Sequence, residues 1–146
     1  MAVKGTVPEG ITDEQQAARW VRSMFGGIAG RYDLLNHLLS FNMDKRWRAR
    51  AVRRVTPILD RPDALVLDLC CGTGDVMIAL EQRRNAPVLG SDFCHPMLTE
   101  PCRKLEARRF RSPLFEADAL RLPLRDSSLD LITVAGFPLG YYMAAQ

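Results

Sequence analysis

No stretch of this chain approaches the roughly 20 consecutive apolar residues that span a bilayer. Its opening residues, MAVKGTVPEG, hold neither an apolar core segment nor a cleavage pattern. A transmembrane helix is therefore excluded and export is not expected; the location expected is cytoplasmic, with a peripheral contact at the inner membrane face left open. Cysteine is scarce, four residues in all, and Cys70 and Cys71 are adjacent. That is neither the spacing of a secreted disulfide framework nor a pair of CxxC knuckles, so reduced thiols and no metal site are expected. Charge of one sign is also lacking. A net +3 from 20 basic and 17 acidic residues does not by itself point to nucleic acid. What is present, 146 residues at 47% hydrophobic and 25% charged, suits one soluble globular unit with a real core.

Along the chain the pattern changes once. Thr12 and Gln15 form a capping box, followed by Ala17, Val21, Met24 and Phe25 at helical spacing until Gly26 and Gly27 interrupt. A second helical stretch carries Ile28, Tyr32, Leu35, Leu38 and Leu39. A third, from about Asp44 to Val55, sets Trp47, Ala51 and Val55 four apart among Lys45, Arg46, Arg48, Arg50, Arg53 and Arg54. Pro57 and Pro62 then bracket an expected linker. From Ala64 short apolar runs alternate with helical patterns: strands at 64–69, 87–91, 113–116 and 129–135, helices at 75–83 and 95–108. That alternation predicts an α/β, doubly wound parallel sheet. The organisation read from this is an N-terminal arm with helices over 1–62, a βαβ core over 63–135 and a divergent tail over 136–146.

The chemistry is concentrated in Val66-Leu67-Asp68-Leu69-Cys70-Cys71-Gly72-Thr73-Gly74-Asp75, where a strand turns into a helix. Gly72 and Gly74 permit a sharp bend and a close ligand approach. Twenty residues beyond Gly72, Asp92 closes the next strand, the usual place for a carboxylate that accepts from a ribose diol. Asp118 follows the third strand, where it could accept from an adenine amino group. A dinucleotide would share part of this pattern, but its third glycine position is Met77. A carboxylate at Asp75 would also repel a diphosphate at the helix N-terminus. Asp68, Asp75, Asp92 and Asp118 suit a cation, and S-adenosylmethionine carries a sulfonium and an ammonium group. Cys70 and Cys71 read as small packing residues rather than nucleophiles.

At these residues the sequence resembles the quinone C-methyltransferases of menaquinone and ubiquinone biosynthesis. The likeness runs from about Ser23 to Ala135. It rests on Met24-Phe25, Arg31-Tyr32-Asp33-Leu34-Leu35-Asn36, Trp47-Arg48, the glycine turn, Gly90-Ser91-Asp92-Phe93-Cys94 with Pro96-Met97-Leu98, and Glu116-Ala117-Asp118-Ala119. The resemblance implies a class I S-adenosylmethionine-dependent methyltransferase, a Rossmann-like sheet preceded by N-terminal helices. It implies that Thr73, Asp92, Asp118 and Ala119 line the methyl donor with Ala135 beside it, and that Tyr32 and Asp33 lie near the acceptor. The implied acceptor is a prenylated quinol, most simply demethylmenaquinol. His37 is a further candidate base, and the base is left unassigned. Beyond Ala135 the family's Arg-Asn pair has no counterpart in Gly136-Phe137-Pro138-Leu139-Gly140. An incomplete C-terminal half is therefore expected, with the last strand as an apolar edge.

Two other readings compete. One is a non-catalytic remnant that binds the methyl donor without transferring the methyl. The other is a nucleic-acid-binding module on the basic segment Lys45 to Arg54, which no base-reading motif accompanies; no nucleic-acid partner is expected.

Overall fold

The computed structural model describes residues 16, 19, 20, 22–27, 31 and 43–134. Tyr32, Asp33, His37 and Ala135, and the segment 136–146, lie outside the described residues. Residues 22–27 are helical, so Gly26 and Gly27, expected to interrupt, continue the helix.

Helix α1 spans Met43–Leu59 and runs through Pro57, where a linker was expected. Proline removes one backbone donor there, but the last turn is held in other ways. Thr56 Oγ1 donates to the Val52 carbonyl at 3.2 Å and the Asp60 amide donates to the Thr56 carbonyl at 2.9 Å. Leu59, 2% exposed, fixes the helix end in the core. Burying such a side chain contributes about 2 kcal/mol, enough to offset a lost hydrogen bond. The inward face is set by Val52 and Leu59 with Arg48 on the same side, whereas Trp47, expected on the apolar stripe, is exposed.

The remainder alternates strand and helix: β1 (Val66–Leu69), α2 (Asp75–Arg84), β2 (Leu89–Asp92), α3 (His95–Arg108), β3 (Leu114–Glu116) and β4 (Leu131–Val134). Among the described residues the four strands form one sheet of order β3-β2-β1-β4, with every pair parallel. Chain order therefore reverses between β1 and β4. In open parallel sheets that switch point, at the carboxyl ends of the strands, is where ligands bind. α3 begins and ends at the residues the periodicity predicts. β4 begins two residues later than its apolar run because Asp130 is engaged beforehand. Its carboxylate accepts from the Leu65 amide at 2.8 Å and pairs with Arg61 at 2.9 Å.

Val52 and Leu59 of α1, Val66 of β1, Met77, Ile78 and Leu80 of α2, Val88, and Leu98 and Leu105 of α3 form one apolar cluster. α1 thus shares its core with the sheet, although the sequence reading grouped it with the N-terminal arm. β4 is one of the two edge strands among the described residues, and Ile132 and Val134 are exposed on it.

Candidate functional site

The site is built from the turn between β1 and α2. Gly72 and Gly74 take φ of 52° and 80°, and Cys70 takes 55°, three left-handed positions in five residues. Backbone bonds fold the turn back on the sheet. The Cys71 amide donates to the Ser91 carbonyl and the Gly74 amide to the Cys71 carbonyl, both at 2.9 Å.

Asp92 locks this turn to β2. One carboxylate oxygen accepts from the Gly72 amide and the other from the Cys94 amide, each at 2.9 Å. Each oxygen has a second lone pair left, so the group can still accept from a vicinal diol. No lysine or arginine among the described residues pairs with Asp92. The Ala117 amide donates to the Asp92 carbonyl at 3.0 Å, which draws the segment 117–119 alongside. Within it the Leu120 amide donates to the Asp118 carboxylate at 2.9 Å, an Asx turn that fixes this side chain at the strand end. The convergence is registered by Cys70. Burial, then the charges of Asp92, Asp68 and Asp118, push its thiol up to about 11. Burial likewise pushes the Cys71 thiol up, so both remain protonated and un-nucleophilic, as their reading as packing residues requires.

Asp68 stands elsewhere than the sequence reading put it. It is 0% exposed and has no surface with which to face a ligand cation. One oxygen accepts from the Met77 amide at 3.1 Å and the other from Thr133 Oγ1 at 2.6 Å. The N-cap residue Gly74 offers no side-chain cap, so Asp68 supplies from β1 the acceptor for the third amide of α2. It fastens β1, α2 and β4 together beneath the turn. It also places a carboxyl where a diphosphate would need free amides. Burial pushes its carboxyl up to about 7. The folded state then holds a proton that the unfolded state releases near its ordinary value, so this group's contribution to stability falls as pH rises from about 4 to about 7 and is level above that. Asp68→Asn keeps an acceptor for Met77 and abolishes this titration. Its stability relative to the unsubstituted protein is expected to improve by a few kcal/mol between pH 4 and pH 8. Urea unfolding at several pH values measures this, and a difference independent of pH would contradict the burial argument.

Asp75 also departs from expectation. Arg48 Nη1 lies 2.6 Å and Lys104 Nζ 2.8 Å from its two oxygens, and Lys104 also donates to the Thr73 carbonyl at 3.0 Å. Burial opposes its charge, but Lys104 and Arg48 together outweigh that and hold the carboxyl below the usual carboxylate range. With two cations beside it, Asp75 neither repels a phosphate nor serves a ligand cation; it ties α1 and α3 to the head of α2. The sequence reading missed Arg48 and Lys104. The Trp47-Arg48 match was the only hint of the first, and nothing signalled the second. Asp75→Asn leaves two half-buried cations facing a neutral amide and is expected to cost about 2 kcal/mol at neutral pH. That difference should vanish in acid, as pH falls below the ordinary carboxylate range through the lowered value. A loss undiminished there would point to some other cause.

The two glycines differ in kind. A Cβ on Gly72 would meet only Met97 Cε at 3.6 Å, whereas one on Gly74 would stand 2.5 Å from Pro101 Cβ. Gly72 leaves room for an approaching ligand, and Gly74 serves the packing of α2 against α3. Thr73 is buried between them, and Ala119 is half-buried beside Asp118. Arg22 was not anticipated. Its guanidinium lies 4.1 Å over the Phe93 ring, donates to the Phe93 carbonyl at 3.3 Å and pairs with Glu116 at 3.3 Å. The helical residues 22–27 are thereby latched to the ends of β2 and β3, next to Asp92.

A parallel sheet of this order, with a glycine bend after β1 and a carboxylate closing β2, defines the class I, Rossmann-like methyltransferase fold. The fold matches magnesium protoporphyrin IX methyltransferase from Synechocystis PCC 6803, solved with bound SAH, at a TM-score of 0.65 and 20% identity over 80% of this chain and 57% of that one. It also matches an S-adenosylmethionine-dependent methyltransferase from Clostridium acetobutylicum, at 0.56 and 22% identity over 70% of this chain and 43% of that one. More narrowly, residues 11–140 match the ubiE/COQ5 methyltransferase family, and the chain belongs to it. The match extends past both ends of the likeness read from the motifs. The demethylmenaquinone methyltransferase of Thermus thermophilus is 49% identical over 113 residues, covering 77% of this chain and 50% of the relative. That of Deinococcus radiodurans is 40% identical over 126 residues, covering 86% and 51%. The chain spans about half the length of the curated relatives it matches.

Proposed function

We propose that this chain carries the donor-binding portion of an S-adenosylmethionine-dependent C-methyltransferase whose acceptor is a prenylated quinol, demethylmenaquinol. The observation that carries the reading is the Asp92 carboxylate. It is held by the Gly72 and Cys94 amides, unpaired with any described lysine or arginine, and set at the carboxyl end of β2, one strand from the switch point of a family methyltransferase sheet. The donor set fits the group: carboxylates for a cationic adenosine ligand, an Asx-fixed Asp118 at its side and an amide-lined bend at Gly72. Asp92 would accept from the ribose hydroxyls, Asp118 from the adenine amino group, and Thr73, Ala119 and Ala135 would line the remainder. Asp68 and Gly74 act as positioning residues beneath the turn.

When bound, the donor supplies an electrophilic methyl group. The chain's own work is to hold it in line and exclude water, which accounts for most of such an acceleration. Ring-carbon attack also needs an ionised quinol hydroxyl and hence a general base. Tyr32 and Asp33 are proposed near the acceptor, and no residue is assigned as the base. The test is transfer of a labelled methyl group to a short-chain demethylmenaquinol. Labelled menaquinol is the expected product. Calorimetric binding of S-adenosylhomocysteine without any product would leave the chain as a donor-binding remnant, and absence of both would remove the proposal.

A further inference from the structure

Helix α1 has two unlike sides. Arg48 faces inward to Asp75, while Lys45, Arg46, Arg50, Arg53 and Arg54 are exposed. At 3.6 residues per turn, Arg46, Arg50, Arg53 and Arg54 fall within about a third of the helix circumference, with Trp47 beside Arg54 at the margin. Trp47 is 55% exposed. From position 45 to the end of the helix there is no acidic residue. Elsewhere Arg61, Arg83 and Arg103 pair with Asp130, Asp60 and Glu100, but none of the four stripe arginines is paired with a carboxylate among the described residues. Arg46, Arg50 and Arg54 are successive i,i+4 neighbours, and like charges at that spacing oppose the helix. The stripe therefore carries a repulsion that an anionic surface would relieve.

We infer that this face of α1 docks on an anionic phospholipid bilayer, with Arg46, Arg50, Arg53 and Arg54 among the headgroups and Trp47 at the interface. No helix among the described residues is long and apolar enough to cross a membrane, so the contact lies on the surface. A bilayer is favoured over a polynucleotide because an exposed indole at the edge of a basic face suits the headgroup region. The choice also rests on the reading above, in which the acceptor carries a prenyl chain dissolved in the bilayer. Arg48, on the opposite side of the same helix, ties the docked face to the donor turn through Asp75.

The experiment is cosedimentation of the full chain with vesicles of phosphatidylcholine containing phosphatidylglycerol, against phosphatidylcholine alone. Binding is expected only to the anionic vesicles and is expected to be lost in high salt. Each cation near such a surface contributes roughly fivefold, so Arg50→Gln with Arg54→Gln should weaken partitioning roughly 25-fold. Arg46→Gln with Arg53→Gln should do the same by an independent pair. A blue shift of tryptophan emission on binding should be reduced in Trp47→Phe. S-adenosylhomocysteine affinity, read without vesicles, should be unchanged in all these variants, so failure of docking and failure of donor binding are told apart. The inference is overturned by absence of vesicle binding, by partitioning indifferent to both double replacements, or by tighter binding to duplex oligonucleotide than to anionic vesicles at the same ionic strength.

Discussion

Asp92→Ala is expected to weaken S-adenosylhomocysteine binding by roughly two to four orders of magnitude. A hydrogen bond to a charged acceptor contributes about 1.5–3 kcal/mol, and two ribose hydroxyls would lose one each. Alanine also orphans the Gly72 and Cys94 amides, which both donate to this carboxylate. The turn could then loosen for reasons unrelated to the ribose, so a second measurement is needed. A donor analogue lacking one ribose hydroxyl should bind the unsubstituted protein more weakly, yet lose little further affinity in the variant. Such non-additivity identifies a direct contact. An affinity equal to that of the unsubstituted protein would refute the assignment. Additive losses, with the variant still discriminating between the two ligands, would move the ribose partner to another residue.

Much of this fold was legible in advance because it rests on local signals. Asp92 could be placed because one helix and one strand fix a spacing of twenty residues between a glycine bend and the end of β2. The start of α3 could be placed because Pro96 suits a first turn. The misplaced residues depend on partners distant in the chain. Asp75 looked like a free carboxylate at a helix start, yet its neutralising cations come from 27 residues before it and 29 after. Asp68 looked like a pocket residue, yet Thr133, 65 residues on, takes its second oxygen inside the sheet. Trp47 was counted with an apolar stripe because four-residue spacing alone does not say which side of a helix meets the core. Pro57 looked like a boundary because burial of Leu59 cannot be seen from proline's missing donor.

These contacts move the electrostatic preference for the donor onto other carboxylates. Asp75 is spent on α1 and α3, but Asp68 already caps the amide that a diphosphate would seek, and Asp92 has no cation beside it among the described residues. The preference for a positively charged adenosine ligand therefore rests on Asp92 and Asp118 at the strand ends and on Asp68 beneath the helix, rather than on the helix's first residue.

Gly74→Ala is expected to be the most destabilising single methyl addition in the turn. Its φ of 80° disfavours an L side chain by about 1–2 kcal/mol. The added carbon would also stand 2.5 Å from Pro101 Cβ and 3.3 Å from Pro101 Cα, atoms fixed by a ring and a helix backbone that cannot swing aside. Overpacking of that kind costs about 1–3 kcal/mol, and the stiffer unfolded chain returns about 0.4–1 kcal/mol. The net loss expected in urea unfolding is about 2–4 kcal/mol. Gly72→Ala has only the backbone penalty, since its new carbon would meet Met97 at an ordinary 3.6 Å, and should lose about half as much. In donor affinity the order should reverse. Gly72 supplies the amide that holds Asp92 and faces the ligand side, whereas Gly74 faces α3. Equal stability losses for the two variants would mean that α2 and α3 are not in the close contact that Pro101 makes with the turn. Unchanged donor affinity in Gly72→Ala would mean that no ligand approaches the bend.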